Sequence, residues 1–152
     1  MRTAIVSHPI DATSLLREVE SVANGATVLF VGTVRETNAG STVTGLDYSA
    51  YSSMAERELE AIAREAVARW KTSDVVVEHR IGTLGLGEAS VAIVVSHPHR
   101  GEAYDASRFI IEELKRRLPI WKREHYVDGR AQWVANTAEM GDRESGMGVV
   151  GS

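Results

Sequence analysis

Between Leu114 and His125 the sequence sets five cations, Lys115, Arg116, Arg117, Lys122 and Arg123, against a single acid, Glu124. The whole chain is acidic, with a formal net charge of -4, so this short stretch stands out as a local anion site. Clustered cations of this kind hold phosphates and carboxylates, and they lower one another's pKa, which makes a lysine usable as an acid or base near neutral pH. The bland alternative is a solvated helix end, where Lys and Arg complement the C-terminal dipole. Pro119-Ile-Trp-Lys122 argues against it, because a proline stop and a buried-type aromatic pin the backbone between Lys115 and Lys122. Both lysines are then expected to be held rather than mobile.

Two further groups can serve an anion. His97-Pro-His-Arg-Gly101 falls where a strand hands over to a helix, and the exposed amides of a helix N-terminus bind phosphate, with His99 and Arg100 as added donors. Zinc on His97 and His99, with His79 and His125, is the weaker reading for want of carboxylate partners at fixed spacing, so no metal is expected. Arg35 ends a β-branched run at a polar loop, a place from which a rigid element presents a charge to a pocket. It reads equally well as an ordinary strand-end arginine.

Other chemistries are excluded. The chain has no cysteine, which removes disulfides, thiolate nucleophiles, Cys-ligated zinc and iron–sulfur clusters together, so any sulfur it handles must arrive from elsewhere. Gly82-x-x-Gly85-x-Gly87 matches neither the phosphate loop nor the dinucleotide fingerprint and is expected to be a β-turn. Ser, His and Asp occur without a nucleophile elbow. An acidic chain of 152 residues, 43% hydrophobic and 25% charged, reads as one folded unit without the basic field of a nucleic-acid binder. It has neither a signal-peptide pattern nor an apolar run of about 18 residues, so the cytoplasm is the expected compartment.

The elements that must position these residues follow from periodicity. Arg2 to Ser7 predicts a strand, and Leu15, Leu16, Val19 and Val22 a helix that stops at Asn24-Gly25. Thr27 to Val34 reads as a strand buried on both faces, with Gly32 marking a bulge or a close backbone approach. Arg35 to Ser41 reads as a loop and Thr42 to Ala50 as a strand. Ser53-Met-Ala-Glu56 has capping-box spacing ahead of a helix whose core stripe is Leu59, Ile62, Ala63, Ala66, Val67 and Trp70. Ser73 to Ile81 and Ala89 to Ser96 are predicted strands, and Gly101 to Leu118 is a helix halted by Pro119. Ile120 to Val127 and Ala131 to Val134 flank Asp128-Gly129 as a hairpin. Irregular βαβ alternation favours an α+β fold on a mostly antiparallel sheet, with one domain over residues 1–134 and a mobile tail, or one ordered only by a partner, over 135–152.

Taken together, Phe30-Val-Gly-Thr-Val-Arg35, His97-Pro-His-Arg100 and Lys115-Arg-Arg-Leu-Pro-Ile-Trp-Lys-Arg-Glu124 resemble the large, catalytic subunits of molybdopterin synthases, in the right order from about Thr27 to Val134. The resemblance implies an α/β-hammerhead-like fold with about three helices. It implies transfer of two sulfurs to a cyclic pyranopterin monophosphate, forming the molybdopterin dithiolene. The donor it implies is a small ubiquitin-like subunit whose Gly-Gly tail ends in a thiocarboxylate. By the same resemblance Lys115 and Lys122 carry catalysis, and Thr33, Val34, Arg35, His99, Arg100, Arg123 and Glu124 bind substrate. Some relatives place a lysine where this chain has Thr33, so no catalytic charge is assigned there. A homodimer, forming a heterotetramer with two small subunits, is implied; no cofactor is. The alternative is a non-catalytic module that binds a phosphorylated ligand or a protein tail.

Overall fold

The computed structural model describes residues 1–135. Its elements are β1 (Arg2–Val6), α1 (Ala12–Glu18), β2 (Ala26–Thr33), β3 (Thr37–Asn38), β4 (Ser41–Ala50), α2 (Ser52–Trp70), β5 (Val75–Arg80), β6 (Gly82–Gly85), β7 (Ala89–His97), α3 (Arg100–Arg117), β8 (Ile120–Tyr126) and β9 (Ala131–Ala135). The expected mobile tail lies outside the described residues, apart from Ala135, which closes β9 opposite Trp121.

A four-stranded sheet runs β1-β5-β7-β2, with β1 and β5 parallel and its other pairs antiparallel. Its central strands β5 and β7 are almost wholly buried, because α2 and α3 cover one face and α1 the other. The larger core joins Leu59 and Ile62 of α2, Ile110 and Leu114 of α3, and Val77 and Ile93 of the sheet. Leu15 and Val19 pack against Val76, Ala92 and Val94 on the opposite face. The second sheet is ordered β3-β4-β8-β9, with β6 also pairing β4, and its inner residues Leu46, Tyr48, Leu84 and Ile120 complete the larger core. Among the described residues no helix is long and apolar enough to cross a membrane. The α+β class, the three helices and the mostly antiparallel pairing are as expected from the sequence.

Several local expectations are corrected. α3 packs on one face of β2 and the other face is little covered, so burial alternates along it and Leu29 and Val31 are exposed; a run that the sequence shows as continuously apolar is half solvated. Gly32 does mark a bulge, with the register shifting between Gly32 and Thr33, and an added Cβ there would meet Val91 Cγ1 at 2.7 Å. α1 stops at Glu18, which leaves Val22 fully exposed; its start is fixed by Asp11, whose carboxylate accepts from the amides of Thr13 and Ser14. α2 begins at Ser52 with Tyr51 as N-cap and no side-chain cap, so the capping box at Ser53 and Glu56 does not form. The expected turn forms at Leu86-Gly87, closed by the Glu88 amide donating to Gly85 O, but Gly82–Gly85 ahead of it is a strand, because β4 has an open edge along Gly45 to Tyr48. The segment read as a loop after Arg35 contains β3, joined to β4 through Ala39 and Gly40 at φ 49° and 80°.

The cations of this stretch have different surroundings. Arg116 pairs with Glu113. Arg117 joins α3 to α2 by ion pairs of 2.6 Å to both Glu58 and Glu65. Since these partners are partly solvated, Arg117→Ala is expected to cost about 1 kcal/mol of stability at most, read as a small drop in Tm, with turnover unchanged. A loss of turnover matching that of a Lys115 variant would instead indicate a diffuse electrostatic patch.

Candidate active site

Pro119 ends α3 and sends the chain back as β8. Leu118 takes an extended conformation (ψ 126°), as a residue before proline must, and the Ile120 amide donates to Leu118 O at 2.8 Å. The buried anchors of this corner are Leu118 and Ile120, whereas Trp121, expected to be the pin, is half-buried and meets Tyr51 edge-on at 5.3 Å. Because side chains alternate along a strand, Ile120, Lys122 and Glu124 face inward and Trp121, Arg123 and His125 face the other way. Lys115, on the last turns of α3, and Lys122 thereby line one cavity of about 180 Å³ from opposite sides.

That cavity gathers most of the residues picked out in the sequence. Thr33, Val34 and Arg35 enter from the end of β2, Lys115 from α3, and Lys122 and Glu124 from β8. The bulge at Gly32 aids this, since beyond it the chain stays tied by Val34 N–H to Glu88 O and Gly87 N–H to Val34 O. A wider cavity of about 610 Å³ adjoins it, lined by Ser41, Tyr126, Arg130 and Val134 among others and sharing Asn38, Lys122 and Glu124 with the first.

Lys122 is only 9% exposed and Glu124 8%, and Lys122 Nζ lies 2.9 Å from Glu124 Oε1. Burial by itself would raise the Glu124 carboxyl. Hydrogen bonds from Lys122, Tyr126 and Asn38 outweigh it and hold that carboxyl below the usual range. Beneath the cavity His79 is fully buried against Tyr48, edge to face at 5.2 Å, and its Nδ1–H donates to Arg80 O. Burial, reinforced by the charge of Lys115, pushes its pKa down to about 4, so His79 is a neutral core residue at physiological pH.

Other candidates lie elsewhere. Arg123 points to the opposite face of the sheet, where it binds Asp47 at 2.9 Å and stacks over Trp133 at 5.0 Å. His125 Nε2 and Thr83 Oγ1 complete that cluster on the Asp47 carboxylate, each at 2.8 Å. Burial opposes ionisation of Asp47, but these three donors prevail and its pKa is pushed down to about 2. A depressed carboxyl stabilises the fold above its unfolded value of 3.8, and that contribution disappears as the pH falls from there through about 2. For Asp47 it is on the order of 2 kcal/mol. The Tm difference between wild type and Asp47→Asn is therefore expected to narrow as pH drops from 5 to about 2, and a constant difference would contradict this assignment.

His99 caps α3 and Arg100 begins it, at the end remote from Lys115. Arg100 and Lys115 are fifteen positions apart on the helix, roughly 22 Å along the axis at about 1.5 Å per residue. Both ring nitrogens of His97 serve the backbone: Nε2–H donates to Trp70 O at 2.9 Å and Nδ1 accepts from His99 N–H at 2.9 Å. This is the structural role weighed for it against zinc. Asn38, Tyr48 and Tyr126 were missed. For Tyr126 a signal was available, since Lys122, Glu124 and Tyr126 fall at two-residue spacing in a predicted strand and so share a face. Asn38 gave none, because nothing in Asn-Ala-Gly announces a hairpin whose alanine sits at positive φ.

Residues 5–117 match the model of the family described as MoaE protein. The chain is 43% identical over 138 residues to the molybdopterin synthase catalytic subunit of Halalkalibacterium halodurans, covering 91% of this chain and 88% of that one. The X-ray crystal structure of molybdopterin synthase from Staphylococcus aureus superposes with a TM-score of 0.81 at 38% identity, over 86% of this chain and 95% of that one. The same fold occurs in a complex of subunits 1 and 2 of molybdopterin-converting factor from Helicobacter pylori, with a TM-score of 0.69 at 24% identity over 87% and 89% of the two chains.

Proposed function

Since this chain belongs to the MoaE protein family, we propose that its two adjoining cavities bring a sulfur donor and a pterin acceptor together at Lys122. The protein is the catalytic subunit of a molybdopterin synthase, a sulfurtransferase of molybdenum cofactor biosynthesis. The observation that carries the site assignment is the convergence of Lys115 and Lys122, from a helix and a strand, on one narrow cavity that shares Lys122 and Glu124 with a wider one.

The narrow cavity suits the tail of a small ubiquitin-like subunit, because consecutive glycines bring no side chain to clash with its walls. The wider cavity suits a cyclic pyranopterin monophosphate, with Arg130 at its wall for the phosphate. In each transfer the thiocarboxylate sulfur bonds to a pterin carbon as a C–O bond of the pterin breaks, and water then cleaves the resulting thioester, leaving the sulfur on the pterin and the donor tail as a carboxylate. One lysine gives a proton to the leaving pterin oxygen, and the other, with Arg35, steadies the terminal acyl group. The chain needs no thiol of its own, because the donor brings the sulfur. We assign the reaction to the cytoplasm and to a domain formed by residues 1–134.

His99 and Arg100 lie too far along α3 to reach this cavity within one copy, so a substrate-binding role for them calls for a second copy of the chain in a homodimer. Mixing Lys122→Ala with Arg100→Ala, each inactive alone, is then expected to regain about a quarter of wild-type turnover, because random pairing makes half of the dimers mixed and each of these has one intact site of two. No recovery on mixing would leave the pair outside the site. The overall reading is tested by incubating the protein with a thiocarboxylated small subunit and the cyclic pterin phosphate and assaying the dithiolene. Binding of both without product would favour the non-catalytic module instead.

A further inference from the structure

We propose that Tyr126 and Asn38 are positioning residues for sulfur transfer, which hold the Glu124 carboxylate, and through it the Lys122 ammonium, at the junction of the two cavities. The inference rests on the assignment of Lys122 to catalysis and extends it to two side chains that the sequence motif does not include.

The geometry divides the carboxylate between two tasks. Glu124 Oε1 faces Lys122 Nζ at 2.9 Å, while Oε2 accepts from Tyr126 Oη–H at 2.7 Å and from Asn38 Nδ2 at 2.8 Å. A lysine has four rotatable bonds, and the terminal torsion of a glutamate is broad, so this pair alone would sweep a range of positions. Two donors on the far oxygen stop the carboxylate turning and leave its other oxygen aimed at Lys122.

The donors are themselves held by their own neighbours. Tyr126 lies two residues beyond Glu124 on the same face of β8, and the Arg130 guanidinium stacks over its ring at 5.1 Å while bound to Asp128 Oδ2 at 2.6 Å. Asn38 stands on β3, immediately before the Ala39-Gly40 turn, so it arrives from a separate element. The support is thus a chain of contacts, Asp128 to Arg130 to Tyr126 to Glu124 to Lys122, braced from one side by Asn38.

The same hydrogen bonds hold the Glu124 carboxyl low against the effect of its burial. The titratable and charged groups that line the cavities with it are Lys122 and Tyr126 on β8, Tyr48 on β4, Lys115 on α3, Arg35 beyond β2, and Arg130. Removing either donor from Oε2 leaves these in place and lets the carboxyl titrate at higher pH. Activity that needs the ionised carboxylate is then lost sooner as the medium is acidified.

The test uses the full chain reconstituted with a thiocarboxylated small subunit and the cyclic pterin phosphate. Tyr126→Phe keeps the ring and its stacking and removes one hydroxyl, and Asn38→Ala removes the other donor. Each is expected to lower kcat about 10-fold with KM changed less than about twofold, since a charge-assisted hydrogen bond is lost while substrate contacts remain. The acid limb of the kcat profile should move to higher pH in both, and the Glu124 carboxyl followed by ¹³C NMR should shift with it. Asn38→Asp should be worse than Asn38→Ala, because it sets a second carboxylate beside the first. An unmoved acid limb and an unmoved Glu124 titration would overturn the proposal even if kcat fell, and so would a loss confined to KM. Lys122→Met separates the two levels: if it is inactive while Tyr126→Phe and Asn38→Ala behave as wild type, only the positioning role fails. Normal turnover in Lys122→Met would overturn the catalytic assignment and this role with it.

Discussion

Replacing Lys122 with alanine is expected to abolish dithiolene formation, lowering turnover by about 10²–10⁴-fold, the usual range for loss of a positioned acid or base. The same lysine read as an exposed cation would cost the fold almost nothing. The structure changes that expectation, because Lys122 is 9% exposed and pairs with a buried glutamate. Removing it leaves Glu124 charged in the interior, although two of its hydrogen-bond donors, Asn38 and Tyr126, remain. Breaking a buried pair in this way costs several kcal/mol where nothing compensates, and about 1–3 kcal/mol is expected here. Turnover should therefore be compared at a temperature well below the lowered Tm, with circular dichroism showing that the variant is folded. Lys122→Met, which preserves the stem that packs in the cavity wall, should recover part of the Tm and none of the activity. Lys115→Ala should also be severely impaired. Near wild-type turnover in folded Lys122→Ala would remove it from the chemistry.

A second large effect is expected on the donor side. One residue added beyond the terminal glycine of the small subunit should stop sulfur transfer while leaving the two proteins able to associate. If the tail fills this cavity of about 180 Å³ up to Lys115 and Lys122, an additional residue takes the place of the terminal glycine there. The thiocarboxylate would then be displaced by about 3.5 Å, one residue of extended chain, and a displacement of even 1 Å can cost 100-fold in rate. Docking of the folded body depends on surface remote from the tail and should persist. A pull-down beside a turnover assay, with native and extended partners, separates the two. Normal turnover with the extended partner, or dithiolene formation with no partner present, would refute tail insertion.

Much of this was legible from the residues. The stripe Leu59, Ile62, Ala63 and Ala66 is buried as its helical spacing requires, since a period near 3.6 leaves a helix one face to bury. Pro119 ends α3 where the sequence places the stop, because its ring disfavours the helical conformation at Leu118. The Lys115 to Glu124 run carried both lysines and their glutamate, and all three line one cavity. Even the bulge at Gly32 could be read, as the one residue in a β-branched run with no side chain to pack.

What the sequence could not supply were the relations between elements distant along the chain. Whether an apolar strand is buried on one face or two depends on which helices reach it, and α3 covers one face of β2 while the other is little covered, so Leu29 and Val31 remain exposed. Whether Gly82–Gly85 is a turn or a strand was decided by the open edge of β4, which lies more than thirty residues earlier in the chain. Arg123 adjoins Lys122 in the motif and yet serves Asp47 on the opposite face, because a strand sends consecutive side chains to opposite sides. His99 and Arg100 are separated from Lys115 by the rigid length of α3. The sequence by itself determined which residues could serve an anion site and most of the local elements that carry them, since charge, proline geometry and hydrophobic period act within a few residues. Only the tertiary structure decided which of them meet, and that Asn38 of the β3–β4 hairpin would close on Glu124 from 86 residues away, because burial and hydrogen-bond pairing are settled by every element that reaches the same space.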